Sequence, residues 1–127
     1  MSTAVTHGVR VDVKPEYLAD QSEPRRGLWM FAYDVRISND GPEAVQLLSR
    51  HWIITDATGR VEEVRGPGVV GEQPVIQPGR SFAYRSGCPL PTSMGTMHGT
   101  YQMITAKGER FDATIAPFTL AEPYSLN

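Results

Sequence analysis

The chain has 127 residues, enough for one domain whose core buries roughly two-thirds of the unfolded surface, so we predict a single domain over residues 1–127. Twelve basic and fourteen acidic residues give a formal net charge of −2, and neither sign forms a block, which argues against nucleic-acid or membrane-surface binding. No segment approaches the ~20 apolar residues of a membrane span, and Cys88 has no second cysteine with which to form a disulfide. We therefore expect a cytoplasmic protein without membrane insertion.

Alternating side chains predict strands along the first half of the chain. Residues 8–18 place three valines on one face, and Pro15, which lacks an amide donor, puts this strand at a sheet edge or ends it. Residues 28–39 alternate most strongly, with large apolar side chains on one face and mostly charged or polar ones on the other. Residues 45–56 are too apolar to leave one face in water, so we predict a central strand there, followed by a turn and a short return strand over residues 60–65.

The second half continues the pattern to a C-terminal tail at residues 122–127. After Val75-Ile76, a turn is predicted at Gln77-Pro78-Gly79. Further strands are predicted over residues 81–88, 95–106 and 110–120, and Pro117 is expected to bend the last of them. With seven to eight strands and no segment of helical period, the chain is predicted to be all-β. Its length and strand count fit an antiparallel β-sandwich of the immunoglobulin or fibronectin type III-like kind, and a small closed barrel is the alternative.

A loop rich in glycine and proline, residues 66–74 (GPGVVGEQP), lies between two predicted strands. Its glycines permit positive φ or close backbone approach, while its prolines fix φ, so the loop is expected to have a defined shape suited to holding a ligand or partner. We therefore place the candidate binding residues here. They are Arg65, Gly66, Gly68, Val69, Val70, Gly71, Glu72 and Gln73.

Three glycines of this loop match G-x-G-x-x-G, a pattern that binds phosphate when a helix follows it. Pro74 and Pro78-Gly79 leave no room for that helix, which excludes a Rossmann site. The amides from Gly68 to Gly71 remain candidates for a concave anion site, with a nearby arginine adding charge. The alternative is that the glycines merely form a tight loop between the sheets.

The motif Ser49-Arg50-His51-Trp52 is divided by the pleat of its strand. Leu48, Arg50, Trp52 and Ile54 are predicted on one face, and Val45, Leu47, Ser49, His51 and Ile53 on the other. Trp52 is expected to be core, with Arg50 lying over its ring or pairing with Glu62 or Glu63. Because His51 points away from Arg50 and Trp52, the motif does not form one catalytic cluster.

No catalytic, metal-binding or cofactor-binding pattern is recognisable. His7, His51 and His98 are far apart and no paired cysteines occur, whereas a zinc site needs three or four converging donors. Cys88 ends an apolar strand, where a thiol is usually buried and inert. We therefore expect a protein that is not an enzyme and has no metal or cofactor.

Four motifs occur together: SRHW, GxGVVGxQP, PG followed by FxY, and MxGxYxM. With these motifs the chain resembles the bacterial ApaG family over nearly its whole length. The resemblance implies a fibronectin-like sandwich, a bacterial cytosolic setting and a role linked to cobalt tolerance and magnesium efflux. The same domain in larger eukaryotic proteins implies a binding module.

Two functions remain open from the sequence. The first is a non-enzymatic interaction module that captures an unknown protein partner through the glycine loop and an exposed sheet face or edge. The alternative is a small-anion or nucleotide sensor, in which the Gly66–Gly71 loop binds a phosphate-containing small molecule, such as one with a pyrophosphate group.

Overall fold

The computed structural model describes residues 1–123, and its elements are strands apart from two short 3₁₀ turns. The strands are β1 (Ser2–Thr6), β2 (Val9–Tyr17), β3 (Trp29–Asn39), β4 (Val45–Asp56), β5 (Val61–Pro67), β6 (Val75–Ile76), β7 (Ser81–Leu90), β8 (Met94–Thr105) and β9 (Arg110–Ala121). The 3₁₀ turns are Ala19–Gln21 and Pro24–Arg26. From residue 124 onward, the predicted tail lies outside the described residues.

The strands form two antiparallel sheets that pack face to face. The first sheet has the order β1-β2-β3-β7 and the second β5-β4-β8-β9, with β6 also paired to β4. Alternate residues of the long strands fill the space between the sheets, including Val11, Phe31, Ile37, Tyr101 and Ile115, each at most 1% exposed. The predicted all-β sandwich is confirmed.

The first sheet gains a strand that the sequence analysis did not separate. Strand β1 pairs with β2 through a tight turn at His7 and Gly8, both of which have positive φ. The pairing ends at Ser2 opposite Val13, so the outer side of β2 beyond Val13 is uncovered by β1. Pro15 lies in this uncovered part, where a missing amide donor costs no ladder hydrogen bond.

Strand β4 contains a β-bulge that changes the predicted arrangement of its faces. Its register with β8 shifts between Leu47 and Ser49, so Leu48 is an extra residue. An inserted residue reverses the alternation beyond it. Leu47, on one side of the bulge, and Trp52, on the other, are therefore both buried in the core. The predicted strict alternation along β4 is wrong across Leu48.

The sandwich is closed along one side and open along the other. On the closed side β1 and β2 contact β9, and the Thr114 amide donates to Thr6 Oγ1 at 3.1 Å. On the open side β7 ends the first sheet and β5 ends the second, and in the described part of the chain each pairs with one neighbour only. Both strands therefore have a free edge on the same side of the molecule.

Candidate functional site

A cleft opens between the free edges of β5 and β7, and we call it the open-side cleft. It consists of two adjoining hollows with volumes of about 260 and 380 Å³. Tyr33, Arg50 and Ser86 line both hollows. The larger hollow reaches the glycine loop at Val69, Val70 and Gly71, whereas the smaller one reaches Glu62 and Val64 on β5. The cleft thus joins the predicted loop to residues of both sheets.

Arg50 connects β4 to the glycine loop. Its Nη1 donates to the carbonyl oxygens of Pro67 and Gly68, each at 2.9 Å. The guanidinium lies against Gly66, where an added Cβ would be only 2.9 Å from Nη2. Gly66 therefore leaves room for Arg50 to lie across β5 and hold the loop.

The positive charge of Arg50 is not balanced by a carboxylate within residues 1–123. The predicted pairing with Glu62 or Glu63 is wrong, because Glu63 instead accepts from His51 at 2.7 Å on the outer face of the second sheet. The strand pleat turns Glu63 to the outer face. Glu62 lies on the same face as Arg50 but opposite Ile54, four residues along β5 from Gly66, which is opposite Arg50. A partly buried guanidinium beside two carbonyl groups is suited to binding an anionic group.

Aromatic hydroxyl groups surround Arg50 but do not neutralise it. Tyr84 and Tyr101 share a short hydrogen bond between their hydroxyl groups. Burial raises the pKa of Tyr33, Tyr84 and Tyr101 above the ordinary tyrosine value, so all three remain uncharged near neutral pH. Each offers a polar hydroxyl group, and the net charge at this end of the cleft comes from Arg50.

Trp52 lines the cleft beside Arg50 and has an unpaired donor. The residue is 2% exposed, and its ring meets Tyr33 and Phe118 edge-to-face at centroid distances of 5.2 and 5.9 Å. Its buried Nε1–H has no acceptor in residues 1–123. By contrast, Trp29 Nε1 donates to Glu122 Oε2 at 2.8 Å. Because buried donors are usually paired, the Trp52 indole is an exception that a bound acceptor would satisfy.

The β-bulge anchors the glycine loop. The Leu48 carbonyl accepts from the Gly68 amide at 2.9 Å and from Gln73 Nε2 at 2.8 Å. The Leu47 amide donates to the Pro74 carbonyl at 3.0 Å. The same bulge therefore turns Arg50 and Trp52 into the cleft and fixes the loop beside them.

The tip of the loop is a strained turn. Val69 and Glu72 exchange backbone hydrogen bonds of 2.8 and 2.9 Å, and between them Val70 and Gly71 have φ values of 43° and 81°. Positive φ at both central residues is typical of a type I′ turn, which favours asparagine and glycine. Val70 is β-branched and 55% exposed. It therefore has a strained backbone conformation that is not offset by burial of its side chain.

The predicted anion site formed by the amides of Gly68 to Gly71 is partly used by the loop itself. The Gly68 amide donates to Leu48 and the Val69 amide to Glu72. Within residues 1–123 the amides of Val70 and Gly71 have no protein acceptor. Gly68 also has a packing role, because a Cβ there would be 2.2 Å from the Glu72 carbonyl oxygen.

The structure brings some of the predicted site residues together and separates others. Val70 and Gly71 line the larger hollow of the open-side cleft, and the backbone of Glu72 closes the turn. Gly66 lies against Arg50 and Gly68 against Glu72, so these two glycines shape the loop. Val69 is 1% exposed and belongs to the core, and Gln73 anchors the loop. Arg65 lies on the outer face, 3.6 Å from Glu63, and does not face the cleft.

Sequence reasoning missed the contribution of the first sheet to this site. Tyr33 comes from β3, and Tyr84 and Ser86 come from β7, and none of them is near the loop in sequence. Cys88 lies deeper in the cleft, and burial raises the pKa of its thiol to about 11. The available signal was Arg50, a charged residue in a strand otherwise rich in large apolar side chains.

Among residues 1–123, no three histidine, cysteine, aspartate or glutamate side chains lie close enough together to hold a metal ion. No helix in that part of the chain is long and apolar enough to cross a membrane.

Comparison with known proteins identifies the family. A family model described as the ApaG domain matches residues 19–105. The chain belongs to the ApaG domain family. An ApaG protein from Rhodospirillum centenum is 57% identical over 124 residues, covering 98% of this chain and 95% of the relative. An ApaG protein from Anaeromyxobacter dehalogenans is 54% identical over 127 residues, covering 100% of both chains.

A solved structure supports the same assignment. The crystal structure of the putative ApaA protein from Bordetella pertussis matches with a TM-score of 0.88 at 53% sequence identity, covering 91% of this chain and 94% of that one. The ApaG resemblance inferred from the four motifs is confirmed. The bulge, the glycine loop and the cleft residues all lie within the matched ApaG domain.

Proposed function

We propose that this ApaG domain is a non-enzymatic binding module that captures a partner protein at the open side of its sandwich. The supporting observation is that two free strand edges, β5 and β7, flank a cleft holding an unbalanced Arg50. An edge strand presents unpaired backbone N–H and C=O groups, which an extended segment can pair with, while pockets beside the edge select its side chains.

The loop supplies a second contact surface next to the cleft. Val70 is a large apolar side chain exposed at the tip of a strained turn, beside the two unpaired amides. Strain of this kind costs roughly 1 to 3 kcal/mol and is concentrated at ligand-binding sites. Val70 therefore serves binding in this proposal, and Gly66 and Gly68 serve the shape of the loop.

The proposal assigns no reaction to the site. The raised pKa of Cys88, at about 11, keeps its thiol protonated near neutral pH, which argues against a nucleophilic role. The relatives named here are called ApaG proteins, and their names state no enzyme activity. We further propose a cytoplasmic role in cobalt tolerance and magnesium efflux, exerted through the captured partner and not through ion binding by this chain.

The experiment compares partner capture by three forms of the protein. Ser86→Tyr places a ring in the cleft, and Thr96→Tyr places the same ring on the exposed outer face of β8 as a matched control. Each form is immobilised and used to recover cytosolic proteins, after urea unfolding has established that it is folded. We expect wild type and Thr96→Tyr to retain the same proteins and Ser86→Tyr to lose them. Equal retention by all three forms would contradict the proposal.

A small-anion or nucleotide sensor remains the second candidate. It is favoured by the proximity of Arg50 to the unpaired amides of Val70 and Gly71. Titration of ¹⁵N-labelled protein with pyrophosphate, ATP and diadenosine tetraphosphate, with and without magnesium, tests it. Saturable amide shifts confined to residues 65–74 would support the sensor, and unchanged amides at millimolar ligand would remove it.

A further inference from the structure

We propose that the open-side cleft recognises an extended partner segment with an acidic, an apolar and a basic side chain at alternate positions. The acidic side chain binds Arg50, the apolar one enters the hollow beside Trp52, and the basic one reaches Glu62. This inference rests on the proposed function and specifies the chemistry of the partner.

The spacing along the cleft matches an extended chain. In the β4–β5 pairing, Arg50 is opposite Gly66, Trp52 is opposite Val64, and Ile54 is opposite Glu62. These three pairs are two residues apart and face the same side. The first and third pairs are four residues apart, which corresponds to a distance of about 13 Å along a β-strand. A segment lying along the free edge of β5 has the same rise, so its alternate side chains meet the three positions in turn.

The position of the partner's acidic side chain is inferred from hydrogen-bond donors of the cleft that have no acceptor within residues 1–123. Arg50 uses Nη1 for the loop carbonyls, and within residues 1–123 its Nε and Nη2 have no hydrogen-bond acceptor. The Nε1–H of Trp52, in a residue that is 2% exposed, has none either. A carboxylate accepts two parallel hydrogen bonds from a guanidinium and has further lone pairs for an indole. A carboxylate therefore suits the free guanidinium donors of Arg50, and the Trp52 indole lines the same hollow beside it.

The middle position is apolar and has a defined size. Trp52, Ile54, Val64 and Met97 line the hollow of about 260 Å³ beneath the free edge of β5. Such a hollow favours an apolar side chain of the partner, because burial removes apolar surface from water on both sides. Leucine is chosen as the test side chain for this position.

The far end of the cleft carries the opposite charge. Glu62 is exposed and has no ion-pair partner within residues 1–123. The adjoining hollow is also lined by Asp56 and Arg60. Hydrogen bonding from Thr58 lowers the pKa of Asp56, so this carboxyl is ionised near neutral pH. The two carboxylates outnumber Arg60, and the end beyond Ile54 favours a basic side chain.

The test uses synthetic peptides capped at both ends. TDTLTKT and its reverse, TKTLTDT, carry the proposed pattern in the two possible strand directions. TTDLKTT has the same composition with the three side chains adjacent, and TNTLTKT lacks the acid. The readout is the indole Nε1–H signal of Trp52 in ¹⁵N spectra, which a carboxylate acceptor shifts downfield, while the paired indole of Trp29 serves as an internal reference.

We expect one patterned peptide to shift the Trp52 signal saturably and the control peptides to bind at least about tenfold more weakly, the factor set by a difference of 1.4 kcal/mol. Glu62→Lys should weaken that peptide and bind a version whose lysine is replaced by glutamate. Glu63→Lys makes the same charge change one residue away on the outer face, so it should leave binding unchanged. Neither position contacts Arg50, so this exchange tests the pattern without loosening the loop.

Three outcomes would overturn the inference. They are equal binding of TTDLKTT, no shift of the Trp52 signal at about 1 mM of either patterned peptide, and reproduction of the full shift by pyrophosphate alone. If these occur while Ser86→Tyr still abolishes partner capture, only the chemistry assigned to the partner fails. If Ser86→Tyr also has no effect, the proposed function itself fails.

Discussion

Replacing Trp52 by phenylalanine should cost far less stability than replacing it by alanine. Trp52 is 2% exposed and contacts the rings of Tyr33, Tyr101 and Phe118. Alanine leaves a cavity and removes these contacts, which lowers the free energy of unfolding by roughly 3 to 5 kcal/mol. Phenylalanine keeps one ring and removes the unpaired Nε1–H, whose burial costs about 1 to 3 kcal/mol. We therefore expect Trp52→Phe to lie within about 1.5 kcal/mol of wild type.

The measurement is urea unfolding of wild type and both variants, with the free energy taken from the midpoint and slope. Trp29→Phe is the matched control, because the Trp29 indole donates to Glu122 at 2.8 Å and this substitution removes an existing hydrogen bond. A loss in Trp52→Phe equal to that in Trp52→Ala would refute the reasoning, since it would mean that the indole nitrogen is satisfied in the folded protein. In a peptide titration followed by the backbone amides of residues 65–74 instead of the Trp52 indole, Trp52→Phe should also weaken binding of the patterned peptide.

Three further predictions concern the loop and the cleft floor. Val70→Asn creates the Asn-Gly pair that a type I′ turn favours. It should therefore raise the free energy of unfolding, measured in urea, by about 1 kcal/mol and weaken partner capture. A lower free energy of unfolding would contradict the strain assigned to Val70. Gly68→Ala should lower the free energy of unfolding more than Gly71→Ala does, with a difference of at least about 1 kcal/mol. Both glycines have positive φ, but only at Gly68 would a Cβ meet the Glu72 carbonyl oxygen, at 2.2 Å. Equal losses of stability in the two variants would contradict this prediction, because they would mean that the contact with Glu72 is relieved at little cost in free energy. Because burial raises the pKa of Cys88 from 9.0 to about 11, its stabilising contribution is complete below pH 9 and is lost as the pH rises through 11, by up to about 2 kcal/mol. Urea unfolding at pH 8 and pH 11 should therefore show a smaller decline in Cys88→Ala than in wild type, and parallel declines would contradict this.

Much of the scaffold was predictable because the long strands show alternating apolar and polar side chains in the sequence. The bounds predicted for β4 match those observed, those for β3 differ by one residue at its start, and those for β8 differ by one residue at each end. Strand β1 was not separated because the segment Ser2–Thr6 is mostly small and polar and carries little alternation in hydrophobicity. Its pairing is specified by the turn at His7 and Gly8, and a positive φ at a histidine has no sequence signature.

The candidate site was predicted only in part. The loop was found because glycine and proline are strong local signals. The shared face of Arg50 and Trp52 was also predicted, but the burial of Leu47 on that same face was not, because the bulged residue Leu48 follows another leucine and nothing in composition marks which of the two is extra. The contribution of Ser86 depends on the packing of two sheets, and sequence spacing contains no information on which strands face each other across a core.

The single extra residue at Leu48 has a consequence for how this domain tolerates insertion and deletion. Strands usually accept substitutions on their outer face, but loss of one codon here would restore unbroken alternation along β4. Arg50 and Trp52 would still face the core, because Ser49 would follow Leu47 in the register that it already has opposite Gln102. The loop, however, would lose the bulged Leu48 carbonyl that accepts from the Gly68 amide and from Gln73 Nε2. Loss of this residue should therefore weaken the glycine loop more than the core, and an engineered version of the domain should keep the residue count between Leu47 and Arg50 fixed so that the loop keeps its anchor.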